Sequence, residues 1–261
     1  MDTVIVPVDF STTSLNAARY AARMLMGHYG VTMLLYHSYS KDEEQAEAQQ
    51  QLEAFKEELM QTNIVKMDIL AHQEDDFVNG LERAARHRNA DLIVMGITGK
   101  SAIAQVFFGS NTLKMVERKV CPVLIVPENA TYSEIKNVML TSDFRNTHNS
   151  TPSGPIKNFL HAFKPQLHIV NVDKEHYISL TDNYEKEKQD LKSMFAEFNP
   201  EFYFMRLFEL EEALNLFADE MKIDIVIMIQ KNHSFIERLL KGSRTKTLAY
   251  QSKLPMLVMH E

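Results

Sequence analysis

Four apolar runs recur in this chain at an offset of 133 or 134 residues. Val4-Ile-Val-Pro-Val-Asp9-Phe10 returns as Val138-Met-Leu-Thr-Ser-Asp143-Phe144. Thr32-Met-Leu-Leu-Tyr-His37 returns, more loosely, as Leu167-His-Ile-Val-Asn171. Ala90-Asp91-Leu-Ile-Val-Met95 returns as Ile223-Asp224-Ile-Val-Ile-Met228, and Cys121-Pro122-Val-Leu-Ile-Val126 as Leu254-Pro255-Met-Leu-Val-Met259. So long a period means duplication of a whole folding unit, not a stack of short repeats. The 261 residues therefore divide into two domains, 1–128 and 136–261. Each is long enough to bury its own core. The short polar stretch 127–135, PENATYSEI, links them.

Within each copy, strand and helix alternate. Short continuous apolar runs near 3–8, 31–37, 64–70, 91–95 and 122–126 read as strands buried on both faces of a parallel sheet. The second copy places them near 137–142, 167–172, 202–207, 223–228 and 255–259. Amphipathic segments separate them. Residues 11–29 open on Ser/Thr capping candidates and carry Leu15, Ala18, Ala22 and Leu25 on one face. Residues 42–61 carry Leu52, Phe55 and Leu59, and residues 75–88 carry Phe77, Leu81, Ala84 and Ala85. A helix after Gly109 sets Leu113 and Val116 against an exposed Lys114, Glu117 and Arg118. This pattern predicts an α/β fold: two doubly wound, five-stranded, parallel-sheet domains. Met24, Met26, Met33 and Met95 fall on core-facing segments and read as packing.

Charge and cysteine content narrow the function. The net charge is −7, and residues 1–130 hold 12 Lys/Arg against 17 Asp/Glu. Neither half has the basic excess of a nucleic-acid binder. The single cysteine, Cys121, forms no intrachain disulfide and reads as a small buried thiol in a reducing compartment. The N-terminus has no signal-peptide pattern, and no apolar run approaches the ~20 residues that span a membrane. The expectation is a cytoplasmic protein with no membrane partner.

Chemistry concentrates at one stretch, LIVMGITGKSAIAQVFFGSNT, residues 92–112. A buried strand runs into Gly96, with Gly99 next and Gly109-Ser110 beyond. Glycine lets backbone turn sharply and approach a ligand closely. A glycine-rich turn between strand and helix cradles phosphate with backbone N–H groups and the helix N-terminus. Ser110, Asn111 and Thr112 open the next helix and offer N–H groups and hydroxyls. Asp9, ending the first strand, either accepts hydrogen bonds from a base or ribose or caps the following helix. Pro7 and Val8 beside it offer backbone groups and apolar contact. In the second copy Ile229 replaces Gly96 and Asn232 replaces Gly99, while Gly242 and Ser243 persist. An isoleucine disfavours positive φ and adds a branched side chain where backbone must approach a ligand.

Catalytic signatures are absent from the sequence. It holds no GxxxxGK[ST], no HExxH, no CxxC pair and no GxSxG. His37 reads as a satisfied strand-end histidine, and Asp75 and Asp76 as helix caps. No catalytic or metal-ligating residue is assigned.

The chain resembles a tandem member of the universal stress protein family. The VPVDFS opening, the DLIVMG fourth strand, the CPVLIVP final strand and the spacing Gly-x2-Gly-x9-Gly-Ser at Gly96, Gly99, Gly109 and Ser110 carry that resemblance. It implies Rossmann-like domains of strand order 3-2-1-4-5 with an adenine-nucleotide site in the first. On the family pattern Pro7, Val8 and Asp9 meet the adenosine end, and Ser38, just past the second strand, lies near the base. Met95, Gly96, Gly99, Gly109, Ser110 and Asn111 line the ribose and phosphates. Asn111 departs from the small apolar residue often found there. The resemblance also implies pairing of Val123–Val126 with Met256–Met259 as an intrachain pseudo-dimer, with a further homodimer left open. The expected function is ATP binding, with or without Mg, in stress response or signalling, the second domain being degenerate. A slow Mg-dependent ATP hydrolase and a structural pseudo-dimer without nucleotide are the alternatives.

Overall fold

The computed structural model describes residues 1–97, 110–171, 182–204, 210–230 and 254–261. The chain forms two compact units, Met1–Ser133 and Glu134–Glu261.

The first unit runs β1 (Thr3–Pro7), α1 (Thr12–Met24), β2 (Thr32–Tyr39), α2 (Gln45–Met60), β3 (Lys66–Gln73), α3 (Phe77–His87), β4 (Leu92–Ile97), α4 (Ser110–Glu117) and β5 (Val123–Pro127). Its parallel strands lie in the order β3-β2-β1-β4-β5. Val4, Ile5, Val6, Leu35, Ile93, Val94 and Leu124 are fully enclosed, as continuous apolar runs demand in a sheet covered on both faces. The helices start where their caps lie. Ser11 Oγ accepts the Ser14 N–H, and Asp76 Oδ1 accepts those of Val78 and Asn79.

The link after β5 is packed against this unit. Asn16 Nδ2 donates to the carbonyls of Pro127 and Ala130, and Tyr132 meets Tyr20 edge-on. Three of the four methionines read as core are buried. Met26 is the exception at 48 % exposure, because α1 ends at Met24 and the chain turns outward. Burial, followed by the Asp91 carboxylate, pushes the Cys121 thiol up to about 12, as suits a packing residue.

The second unit runs β6 (Asn137–Ser142), α5 (Thr147–Ser150), α6 (Ser153–Phe163), β7 (Gln166–Asn171), α7 (Asp182–Met194), β8 (Glu201–Phe204), α8 (Leu210–Glu220), β9 (Ile225–Gln230) and β10 (Met256–His260). Its order is β8-β7-β6-β9-β10, the same winding. One helix has changed. Where the first unit has the continuous α1, the second has a four-residue turn, an extended Thr151, Pro152 and then α6. Proline removes a helical donor and disfavours helical backbone in the residue before it.

The repeated aspartates before β4 and β9 have a shared structural task. Asp91 Oδ2 accepts from Asp2 and Thr3 N–H at 2.6 and 3.0 Å, and Asp224 Oδ2 from Lys136 and Asn137 N–H at 2.8 and 2.9 Å. Each satisfies donors at the entry to the central strand of its sheet.

Candidate functional site

Open parallel sheets bind ligands beyond the carboxyl ends of strands, where the winding reverses. In the first unit that point lies between β1 and β4. β1 stays paired with β2 up to Pro7↔Tyr36, but pairs with β4 only at Val4↔Leu92 and Ile5↔Ile93. The two strands thus part toward their carboxyl ends, and α1 begins above the gap.

The turn leaving β1 is built around Asp9. Its Oδ1 accepts the N–H and the hydroxyl of Ser11, at 3.0 and 2.6 Å, and its own N–H donates to Ser14 Oγ. An Asp accepting from the N–H two residues on is an Asx-turn, and it holds Phe10 at φ 60°, a left-handed value uncommon outside glycine. The helix cap itself is Ser11; Asp9 orients it. Desolvation pushes the Asp9 pKa up, but hydrogen bonds from Ser11 and Ser14 and from backbone N–H groups outweigh it and hold the carboxyl below its ordinary value. Asp9 is therefore ionised at neutral pH, and it is exposed at the mouth of the gap.

The neighbouring residues are more committed than their sequence positions suggest. Val8 is buried; its N–H donates to Tyr36 O at 2.8 Å, and its carbonyl accepts from His37 Nδ1 at 2.7 Å. The Val8 N–H is spent, so Val8 offers a ligand apolar contact and a carbonyl already bonded once. His37 also packs on Phe10, ring centroids 5.0 Å apart. Pro7 is buried at the end of β1. Ser38 lies inside β2, level with His72 of β3, not past the strand as expected.

Gly96 differs most from its expected setting. It lies within β4, opposite Val126, not in the following turn, and its φ is not left-handed. A Cβ there would stand 2.6 Å from Thr13 O and Thr13 Cγ2 and 2.9 Å from Thr13 C. The absent side chain is required by the first turn of α1, which crosses β4 at backbone contact distance. Thr112, buried in α4, donates its hydroxyl to Gly96 O at 3.1 Å, so that hydroxyl proton is engaged with the strand. Met95 is buried, Ser110 starts α4 and Asn111 is exposed on it. Gly99 and Gly109 lie outside the described residues, as do Asn232, Gly242 and Ser243. The structure thus gathers Pro7, Val8, Asp9, Met95 and Gly96 at the carboxyl ends of β1 and β4.

The second unit repeats the turn but not its surroundings. Asp143 Oδ1 accepts the Arg145 N–H, and Phe144 has φ 54°. Asn171, at the position of His37, donates Nδ2 to Ser142 O at 3.5 Å. Here Phe144 is only 2 % exposed, packed on Tyr184, Phe202 and Phe204. From α7, Glu187 Oε2 accepts the Thr147 N–H and hydroxyl at 2.7 and 2.6 Å. Desolvation raises the Glu187 pKa, but bonds from the Thr147 hydroxyl and the Thr147 and Asn146 N–H groups bring it below its ordinary value. The second unit fills the end of its central strand with its own side chains. Sequence reasoning missed Phe10, Phe144 and Glu187; the repeated Asp-Phe pair was the visible signal for the first two.

Among the described residues no group of three or more His, Cys, Asp or Glu could hold a metal ion, and no helix is long and apolar enough to cross a membrane.

The universal stress protein family model matches residues 1–127. A universal stress protein of Thermus aquaticus is 30 % identical over 134 residues, which are 48 % of this chain and 97 % of that protein. The chain belongs to the universal stress protein family, and membership supports a stress-response role. A universal stress protein from Archaeoglobus fulgidus has the same fold over both units, at TM-score 0.68 and 16 % identity, covering 99 % of this chain and 98 % of that one. The cytoplasmic domain of a prokaryotic cation chloride cotransporter is also alike in fold, at TM-score 0.55 and 10 % identity, covering 98 % of this chain and 94 % of that one. One fold serves unlike proteins, so function has to be argued from the site.

Proposed function

We propose that the first unit binds an adenine nucleotide, ATP, and that its occupancy serves a stress-response or signalling role. The observation that carries this reading is the exposed, ionised Asp9 at the point where β1 and β4 part. Its carboxylate is a hydrogen-bond acceptor for ribose hydroxyls or a base amine. Both bonds from Ser11 go to Oδ1, leaving Oδ2 as the outward acceptor. Met95 and Val8 supply apolar contact, and the opening N–H groups of α4 at Ser110 and Asn111 favour phosphate. Mg enters with the phosphates in this reading rather than through a protein carboxylate cluster. In this reading the nucleotide acts as a bound signal.

Calorimetric titration with Mg-ATP, followed by assay of released phosphate, tests this. Saturable heat without turnover is the expected result. No heat overturns the proposal, and stoichiometric phosphate release with repeated turnover replaces it with the hydrolase reading.

A further inference from the structure

The first unit has an edge strand in β3. β3 has β2 on one side and, among the described residues, no strand on the other. It is eight residues long. Long open edges invite strand pairing, and short ones avoid it. Beside β3 stands Ile64, 80 % exposed.

The direction of the backbone is known. Glu74 N–H donates to Tyr39 O, continuing the ladder to β2. Direction alternates by residue, so even-numbered residues of β3 turn their N–H and C=O groups toward β2. Met67, Ile69 and Ala71 turn theirs to the open edge. Side chains alternate likewise: Lys66 and Asp68 are exposed on one face, with Ile64 before them and Leu70 after, while Met67 is buried on the other. Neither Lys66 nor Asp68 makes an ion pair among the described residues.

We propose that β3 is the docking edge for a second copy of this chain, paired antiparallel about a two-fold axis at Met67. In that register Met67 faces its own copy and exchanges backbone hydrogen bonds with it. Lys66 falls opposite Asp68 of the second copy, and Asp68 opposite Lys66. Ile64 falls opposite Leu70 and loses its exposure. The neighbouring symmetric registers that also keep the outward groups paired are poor. One sets Lys66 against Lys66, the other Asp68 against Asp68, and like charges directly opposed are destabilising. A lone lysine on an edge discourages pairing; lysine with aspartate two residues on selects one register instead.

Analytical ultracentrifugation of the full chain over a range of concentrations tests this. The wild type is expected to dimerise. Asp68→Lys or Lys66→Asp, each of which places like charges opposite one another, should weaken the dimer by about tenfold or more at low salt. The exchange variant K66D/D68K restores the opposite-charge pairs and should return association to within about threefold of wild type. Met67→Pro removes an outward N–H and should abolish the dimer, with unchanged circular dichroism reporting an intact fold. A chain that stays monomeric at every concentration overturns the proposal. So does a dimer indifferent to the single charge variants, or a charge exchange that fails to restore association.

Discussion

Asp9 and Asp143 sit in the same turn, followed by the same left-handed phenylalanine, yet the helices beyond them differ. In the first unit α1 is continuous and its opening turn lies against β4, which only a glycine at position 96 permits. In the second unit the strand carries Ile229, and the helix is interrupted at Thr151-Pro152. Both differences fall at equivalent places in the two copies. A side chain on the fourth strand and a close, unbroken helix above it exclude each other. In the first copy the glycine at position 96 serves the packing of a helix before it serves any ligand. The strand ends differ as well: the first unit leaves Asp9 exposed, and the second buries Phe144 and engages Thr147 with Glu187.

Substitutions that exchange the two states sharpen this contrast. Gly96→Ile should have the largest effect, destabilising the first unit by about 3 kcal/mol, because the clash is with the Thr13 backbone and not with a flexible side-chain end. Ile229→Gly should cost less, about 1–2 kcal/mol, from lost burial and added backbone freedom. Urea unfolding of both variants checks the ranking, and equal costs would break the link between glycine and helix.

Asp91→Ala and Asp224→Ala should cost about 1 kcal/mol each and nearly the same amount, since both carboxylates hold matching N–H pairs. A twofold or larger disparity in denaturant midpoint shift would show that the shared frame is not energetically shared.

Acid should act on the second unit through Glu187. Its folded pKa lies below the ordinary 4.5, so the stabilisation is fully present above 4.5 and fades as pH falls through the folded value. The hydrogen-exchange protection factor of the Thr147 amide should fall on acidification, and Glu187→Gln should remove that fall. The smallest effect is expected from His37→Asn, which copies Asn171: within about 0.5 kcal/mol, against about 1–2 kcal/mol for His37→Leu, which strands the Val8 carbonyl. Thermal melts of the two variants should separate them clearly.

The fold was legible because both copies write their strands as short apolar runs and their helices with visible caps. Ser11 and Asp76 cap as their residue types suggest, and the predicted strand ranges overlap every observed strand. The break between α5 and α6 is signalled by Pro152. Gly96, expected in the turn, lies in the strand for a nonlocal reason. Its partner Thr13 is 83 residues away, and only the packed structure brings the two together. The same holds for Val8, whose N–H is spent on Tyr36 in the neighbouring strand. Local spacing located the candidate site; nonlocal packing decided which groups remain available there.

If the first unit alone holds nucleotide, equilibrium binding of Mg-ATP to the full chain should separate wild type, Asp9→Ala and Asp143→Ala. One nucleotide should bind per chain, with binding lost or weakened at least about tenfold in Asp9→Ala, where a charged acceptor is removed, and unchanged in Asp143→Ala. Two nucleotides per wild-type chain, or binding abolished by Asp143→Ala and untouched by Asp9→Ala, would contradict it.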